Sequence, residues 1–253
     1  MKLESILQYL DGYLGVSEHP DYSVALNGLQ VEGTRDVSRI VAAVDASQAS
    51  IEAAVAAGAD LMLVHHGLFW DGLRPLTGRR MRRVRPLIEA GTALYSVHLP
   101  LDAHAEVGNS ALLGRALGLD LQGRFASYKG AEIGWWGTLE EAGSVQELAG
   151  GLSRVLGDAP IHVIPGGPEP VERVGVVTGG GASFVEDAVA LELHALITGE
   201  GSHHTHFDAM ELGIHVLMGG HYATETFGVK ALAEHLSERF GLDWSFVDQP
   251  TGL

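Results

Sequence analysis

Imidazole and carboxylate groups recur four residues apart at two places in this chain. His98 and Asp102 bracket the segment HLPLD, and His221 and Glu225 bracket HYATE. Each pair follows an apolar run, LYSV or HVLM, that reads as a buried strand. A third run, LMLV at 61–64, ends in the doublet His65-His66. Nitrogen and oxygen donors at the ends of three core strands are the parts of a divalent-metal site, and such a donor set suits Zn²⁺, Mn²⁺, Fe²⁺, Co²⁺ or Ni²⁺. The chain has no cysteine. Thiolate ligands, iron–sulfur clusters, disulfides and cysteine nucleophiles are therefore excluded, and no Ser-His-Asp arrangement is legible.

Each motif also has a plainer reading. Adjacent strand residues point to opposite faces, so His65 and His66 share a site only where the strand ends and the backbone turns, a freedom Gly67 supplies. A bare doublet also fits one core histidine beside an exposed one; the neighbouring strand ends favour ligands. Pro100 prevents a regular helix through its segment, which places His98 and Asp102 in a strand-end loop. Asp102 is a hard oxygen donor. His98 reads as a ligand, as a group steadying a ligand or water, or as a satisfied buried histidine. His104 reads as loop surface.

GGHYATETFGVKAL reads as a glycine-rich turn entering a helix, where positions i and i+4 share a face. His221 and Glu225 can then reach one ion; alternatively Glu225 merely complements the helix dipole. The strand-to-helix turn TGGGAS (178–183) is of a kind that can cradle an anion, but it lacks a Walker lysine and a GxGxxG order, so its reading is structural. Glu200, His203, His204 and His206 lack ligand spacing and read as rim or surface groups.

The elements that must position these groups are duplicated. RIVAAVDASQASIEAAVAAGADLMLV (39–64) and RVGVVTGGGASFVEDAVALELHALIT (173–198) align without a gap, each as strand, turn, helix, strand. LIEAGTALYSVH (87–98) matches AMELGIHVLMGGH (209–221) in the same way, and helices follow both, the first opening near Asn109. Residues 126–170 read as a strand (EIGWWGTL), a helix starting near Ser144 and ending before Gly157, a strand (IHVI) and a Pro/Gly loop. The expectation is an α/β fold of two pseudo-duplicated lobes, approximately 1–125 and 126–253, with mixed sheets covered by helices.

A chain of 253 residues, 46% hydrophobic and 19% charged, is globular rather than disordered. Its N-terminal segment has helical periodicity and no signal-peptide core, and no segment approaches a membrane span, so a cytoplasmic protein is expected. A formal charge of −16 argues against a nucleic-acid partner. The exception is GRRMRRVR, with Arg79, Arg80, Arg82, Arg83 and Arg85, which reads as a solvated helix face or as a patch for phosphate or a subunit neighbour.

LMLVHHGLFW, YSVHLPLDAHAEVGN, ALNGLQVEG (25–33) and ITGEG with ELGIHVLMGGHYATE resemble the Ngg-interacting-factor-like family, whose members carry the label of type 2 GTP cyclohydrolase I homologue. The resemblance covers nearly the whole chain and favours the shorter bacterial members. It implies two intertwined α/β lobes with the metal site between them. It further implies two divalent ions held by His65, His66, Asp102, His221 and Glu225, inside a toroidal homohexamer. Five protein ligands for two ions leave coordination positions open, as catalytic sites do. The expected activity is metal-dependent hydrolysis of a nucleotide-like or phosphorylated small molecule, GTP cyclohydrolase chemistry being the version the label suggests. His98 is the candidate catalytic group, as a proton shuttle, because imidazole titrates near neutrality. The rival is a non-enzymatic assembly that stores, delivers or senses metal, or scaffolds partners.

Overall fold

Apolar runs without polar alternation need cover on both faces. In the computed structural model, which describes residues 1–70 and 72–253, such runs form the centres of two sheets. The chain makes two compact units, Met1–Leu101 with Gly228–Gln249, and Asp102–Phe227 with Pro250–Leu253.

The first unit contains α1 (Leu3–Leu14), β1 (Gly28–Val31), β2 (Arg39–Asp45), α2 (Gln48–Ala56), β3 (Leu61–His66), α3 (Gly78–Ala90) and β4 (Ala93–Ser96). A single helical turn, α4 (Leu99–Asp102), leads into the second unit. There α5 (Asn109–Ala116), β5 (Leu119–Tyr128), β6 (Ala131–Gly143), α6 (Val145–Val155), β7 (His162–Pro165), β8 (Val171–Val176), α7 (Val185–Ala190), β9 (Ala195–Thr198), α8 (Thr205–Leu212), β10 (His215–Met218) and α9 (His221–Thr224) follow. The chain then runs through α10 (Thr226–Phe240) to β11 (Asp243–Phe246), back in the first unit.

The first sheet has the order β1-β4-β3-β2-β11 and the second β5-β6-β8-β9-β10-β7. In the first, β4, β3, β2 and β11 are parallel and β1 pairs antiparallel with β4. In the second, β8, β9 and β10 are parallel, with β7 antiparallel to β10 and β6 to β8. The duplication read from sequence is therefore a shared β-α-β-α-β layout: three parallel strands in spatial sequence with an antiparallel neighbour beside the third. Both sheets are mixed and covered by helices. No helix among the described residues is long and apolar enough to cross a membrane.

Side-chain caps start two of the helices, α6 at the Ser144 that the sequence marks. Ser47 and Ser144 cap α2 and α6, each in a reciprocal box with the residue three places on, Ser50 or Glu147. Val41, Ala43, Met62, Val64 and Leu94 pack with Ile51 and Leu87 in the first unit. Val174, Val176, Ile197 and Leu217 pack with Leu113 and Leu152 in the second. The strand β5, too mixed in composition to stand out, is fixed by a two-residue hairpin to β6 in which Lys129 and Gly130 both take positive φ, 48° and 88°. The segment after His98 is a helical turn rather than a loop. Pro100 sits near its start, where a missing N–H costs nothing.

Candidate metal centre

Three parallel strands of the first unit stop together. Asp45 and His66 face each other in register at the ends of β2 and β3, and β4 ends two residues before His98. His65 is fully buried, and its Nδ1 lies 3.0 Å from the Val97 carbonyl oxygen. A carbonyl only accepts, so Nδ1 carries the hydrogen and Nε2 the lone pair. His66 Nδ1 sits 2.9 Å from Asp45 Oδ1, and His98 Nδ1 2.9 Å from Asp21 Oδ1. The three rings gather with centroids 4.6, 5.0 and 5.6 Å apart. One ligand atom from each lies within 4.8 Å of the others.

Gly67 permits this turn by closeness rather than by an unusual φ. A Cβ there would run into the Gln30 amide, whose Oε1 accepts a 2.6 Å bond from Leu68 N–H. Asp21 anchors His98. Burial alone would raise its carboxyl pKa, but bonds from His98, Asn27 and the Tyr22 N–H hold it below the usual carboxylate range. Asp21 Oδ2 also accepts from Leu99 N–H at 3.1 Å, so one buried carboxylate fixes both the ring and the backbone beside it.

In the second unit His221 opens α9, and its Nδ1 meets Glu200 Oε1 at 2.8 Å. Its Nε2 lies 3.2 Å from Glu225 Oε2. Glu225 falls in the break between α9 and α10, yet the shared face expected of an i,i+4 pair survives the break. The bond to Glu225 outweighs partial burial, Glu200 adds to it, and the imidazole pKa is pushed up to about 9. His221 is thus charged at neutral pH in the metal-free protein. The stability this pairing contributes is full below the ordinary imidazole value and is lost as pH rises through about 9.

Asp102 is buried, and its Oδ1 accepts from Asn109 Nδ2 at 2.8 Å and Thr178 Oγ1 at 3.3 Å. The residue after Thr178, Gly179, has φ +62°. A Cβ on it would strike Glu225 Oε1 and stand 3.2 Å from His221 Nε2. Asp102, His221 and Glu225 therefore border the Thr178–Gly179 backbone, and TGGGAS is shaped to leave room for their donor atoms. Gly179→Ala is expected to weaken binding of Mn²⁺ or Zn²⁺ by about tenfold or more, as read by calorimetry. Unchanged affinity in a folded variant would contradict this role.

Four histidines thus hold Nδ1 against an oxygen, which leaves Nε2 as the donor atom of each ring in its neutral form; His221, charged in the metal-free protein, would give up its proton to a bound cation. With two buried carboxylates, this donor set fits a borderline divalent cation.

The family model Duf34/NIF3 (NGG1p interacting factor 3) matches residues 1–251. The chain belongs to this family. A Deinococcus radiodurans protein named GTP cyclohydrolase 1 type 2 homolog is 44% identical over 99% of this chain and 94% of its own length. An Archaeoglobus fulgidus protein of the same name is 41% identical over the full length of both. The solved structure of protein ybgI, described as of unknown function, superposes with TM-score 0.92 at 40% identity, covering all of both chains. That of TTHA1606 from Thermus thermophilus does so with TM-score 0.88 at 41% identity, again over all of both chains.

For this Duf34/NIF3 chain, the structure brings His65, His66 and His98 together in the first unit, and Asp102, His221 and Glu225 around one turn in the second. The anchoring groups Asp21, Asp45 and Asn109 escaped the sequence reading. Asp45 carried a signal, since it ends an apolar strand as His66 does. Asn109 reads locally as a helix cap, but Gly108 holds that position while the Asn109 side chain reaches Asp102. Glu200, read as a rim group, is the anchor of His221. His203, His204 and His206 are exposed, and His104 Nδ1 accepts from the N–H groups of Glu106 and Val107, which makes it a turn former.

Proposed function

We propose that His65, His66, Asp102, His221 and Glu225 together bind two divalent ions, and that the protein is a metal-dependent hydrolase of a nucleotide-like or phosphorylated small molecule. The observation that carries this reading is the common fixing of Nδ1 in the ligand histidines His65, His66 and His221, because it leaves Nε2 of each as the atom offered to a cation. Family membership and the duplicated strand ends support it; the GTP cyclohydrolase names of the relatives make purine nucleotides the first substrates to try. The reading includes a homohexamer working in the cytoplasm.

Bound ions would supply Lewis-acid polarisation and a water of lowered pKa. The chain's own part is positional and protonic. Asp21 holds His98 by Nδ1, so that Nε2 takes the proton released by the attacking water and returns it to the leaving group. Asn109 and Thr178 steady Asp102, and Glu200 steadies His221.

The test compares metal-loaded and chelated protein on a panel of nucleotides and phosphate esters. Turnover that needs metal is the expected result. Stoichiometric metal binding with no turnover, and passage of that metal to an apo acceptor, would replace the hydrolase with a metal-delivery protein.

A further inference from the structure

The loop after His66 and the face of α3 enclose a cleft of about 430 Å³. Its walls include Trp70, Arg74, Thr77, Arg79, Arg80 and Arg83. No acidic side chain stands among the described residues that line it. Four guanidinium groups in one cleft invert the sign of a chain whose formal charge is −16 with only 16 lysines and arginines.

The arginines of α3 divide by helical position. Arg79, Arg80 and Arg83 share the face toward the cleft, as spacings of three and four require. Arg82 and Arg85 are exposed and outside it, Arg82 bonding Gln48 at 3.3 Å. Arg83 Nε is buried with no hydrogen-bond partner in the protein. Burial and the neighbouring charges of Arg79 and Arg80 depress the Arg83 guanidinium, with Asp45 opposing them. A buried donor among like charges is a standing cost that an anion would relieve. Trp70 joins this cleft to the histidines, its ring centroid 5.9 Å from that of His66 and 4.8 Å from that of His98.

We propose that this cleft binds the phosphate or diphosphate group of a phosphorylated small molecule through Arg79, Arg80 and Arg83, beside the histidine cluster of the first unit. That the bound compound is the substrate rests on the hydrolase reading above; the anion site does not. Guanidinium forks suit phosphate oxygens in this way.

The test is calorimetric titration of chelator-treated full-length protein with inorganic pyrophosphate at low salt. Saturable binding at one site per chain is expected. Arg83→Gln and Arg79→Gln should each weaken it by about tenfold, while Arg85→Gln, with the same charge change on the same helix, stays within about twofold. Arg79 is exposed, so its variant keeps the test open if Arg83→Gln fails to fold. Absence of saturable binding, or an equal loss in Arg85→Gln, overturns the proposal. Pyrophosphate binding without turnover of any ester sinks the hydrolase reading and leaves the cleft standing; turnover with no arginine-dependent binding does the reverse.

Discussion

Glu225→Ala is expected to weaken binding of Mn²⁺ or Zn²⁺ about a hundredfold or more, and to abolish any metal-dependent turnover. Glu225 is 2% exposed and stands 3.2 Å from His221 Nε2 on one side and against Gly179 on the other. A carboxylate so enclosed contributes charge and a donor atom that solvent cannot replace in place. Metal content after dialysis measures the first effect. A second readout needs no metal: the His221 titration, pushed up to about 9 mainly by Glu225, should fall toward its ordinary 6.5 in the variant, as followed by NMR. Removing a negative neighbour destabilises the imidazolium, so the shift has one permitted sign. Two ions retained at unchanged affinity would remove Glu225 from the ligand set.

His98→Asn is expected to lower turnover by about a hundredfold or more while leaving metal content intact. General acid–base groups typically contribute two to four orders of magnitude, and asparagine keeps polarity without a proton to exchange. Asp21→Asn should give a smaller loss, because the amide can still hold the ring while the charge opposite its Nδ1 is gone. Loss of metal from His98→Asn would instead make His98 a ligand beside His65 and His66, which its proximity to both allows.

The sequence disclosed the strands and their final residues because continuous apolar runs are both the core signal and the ruler that locates each strand end. His65, His66, His98 and His221 were legible for that reason, and the paired layouts of 39–64 with 87–98 and of 173–198 with 209–221 emerged as the same three parallel strands twice. What stayed hidden depends on tertiary approach. Asp21 lies in an irregular segment with no periodicity, 77 residues from its partner His98. Asn109 has a strong local reading that a buried bond to Asp102 overrides. Gly179 reads as turn chemistry, and only the nearness of Glu225 reveals that its missing side chain is the point. Pro100 misled in a different way: the rule against proline in helices applies to interiors, and this helix is one turn long.

The path of the chain has a consequence for biosynthesis. The parallel strands of the second sheet are all on hand once Met218 has been made, whereas β2 of the first sheet keeps an open edge until β11, at Asp243–Phe246, arrives. Emerging from the ribosome, the earliest-made sheet is the last to be finished. Its apolar strands wait through the synthesis of more than half the polypeptide, an interval in which unpaired edges invite wrong partners. Shortening the protein ahead of β11 would make that transient hazard permanent.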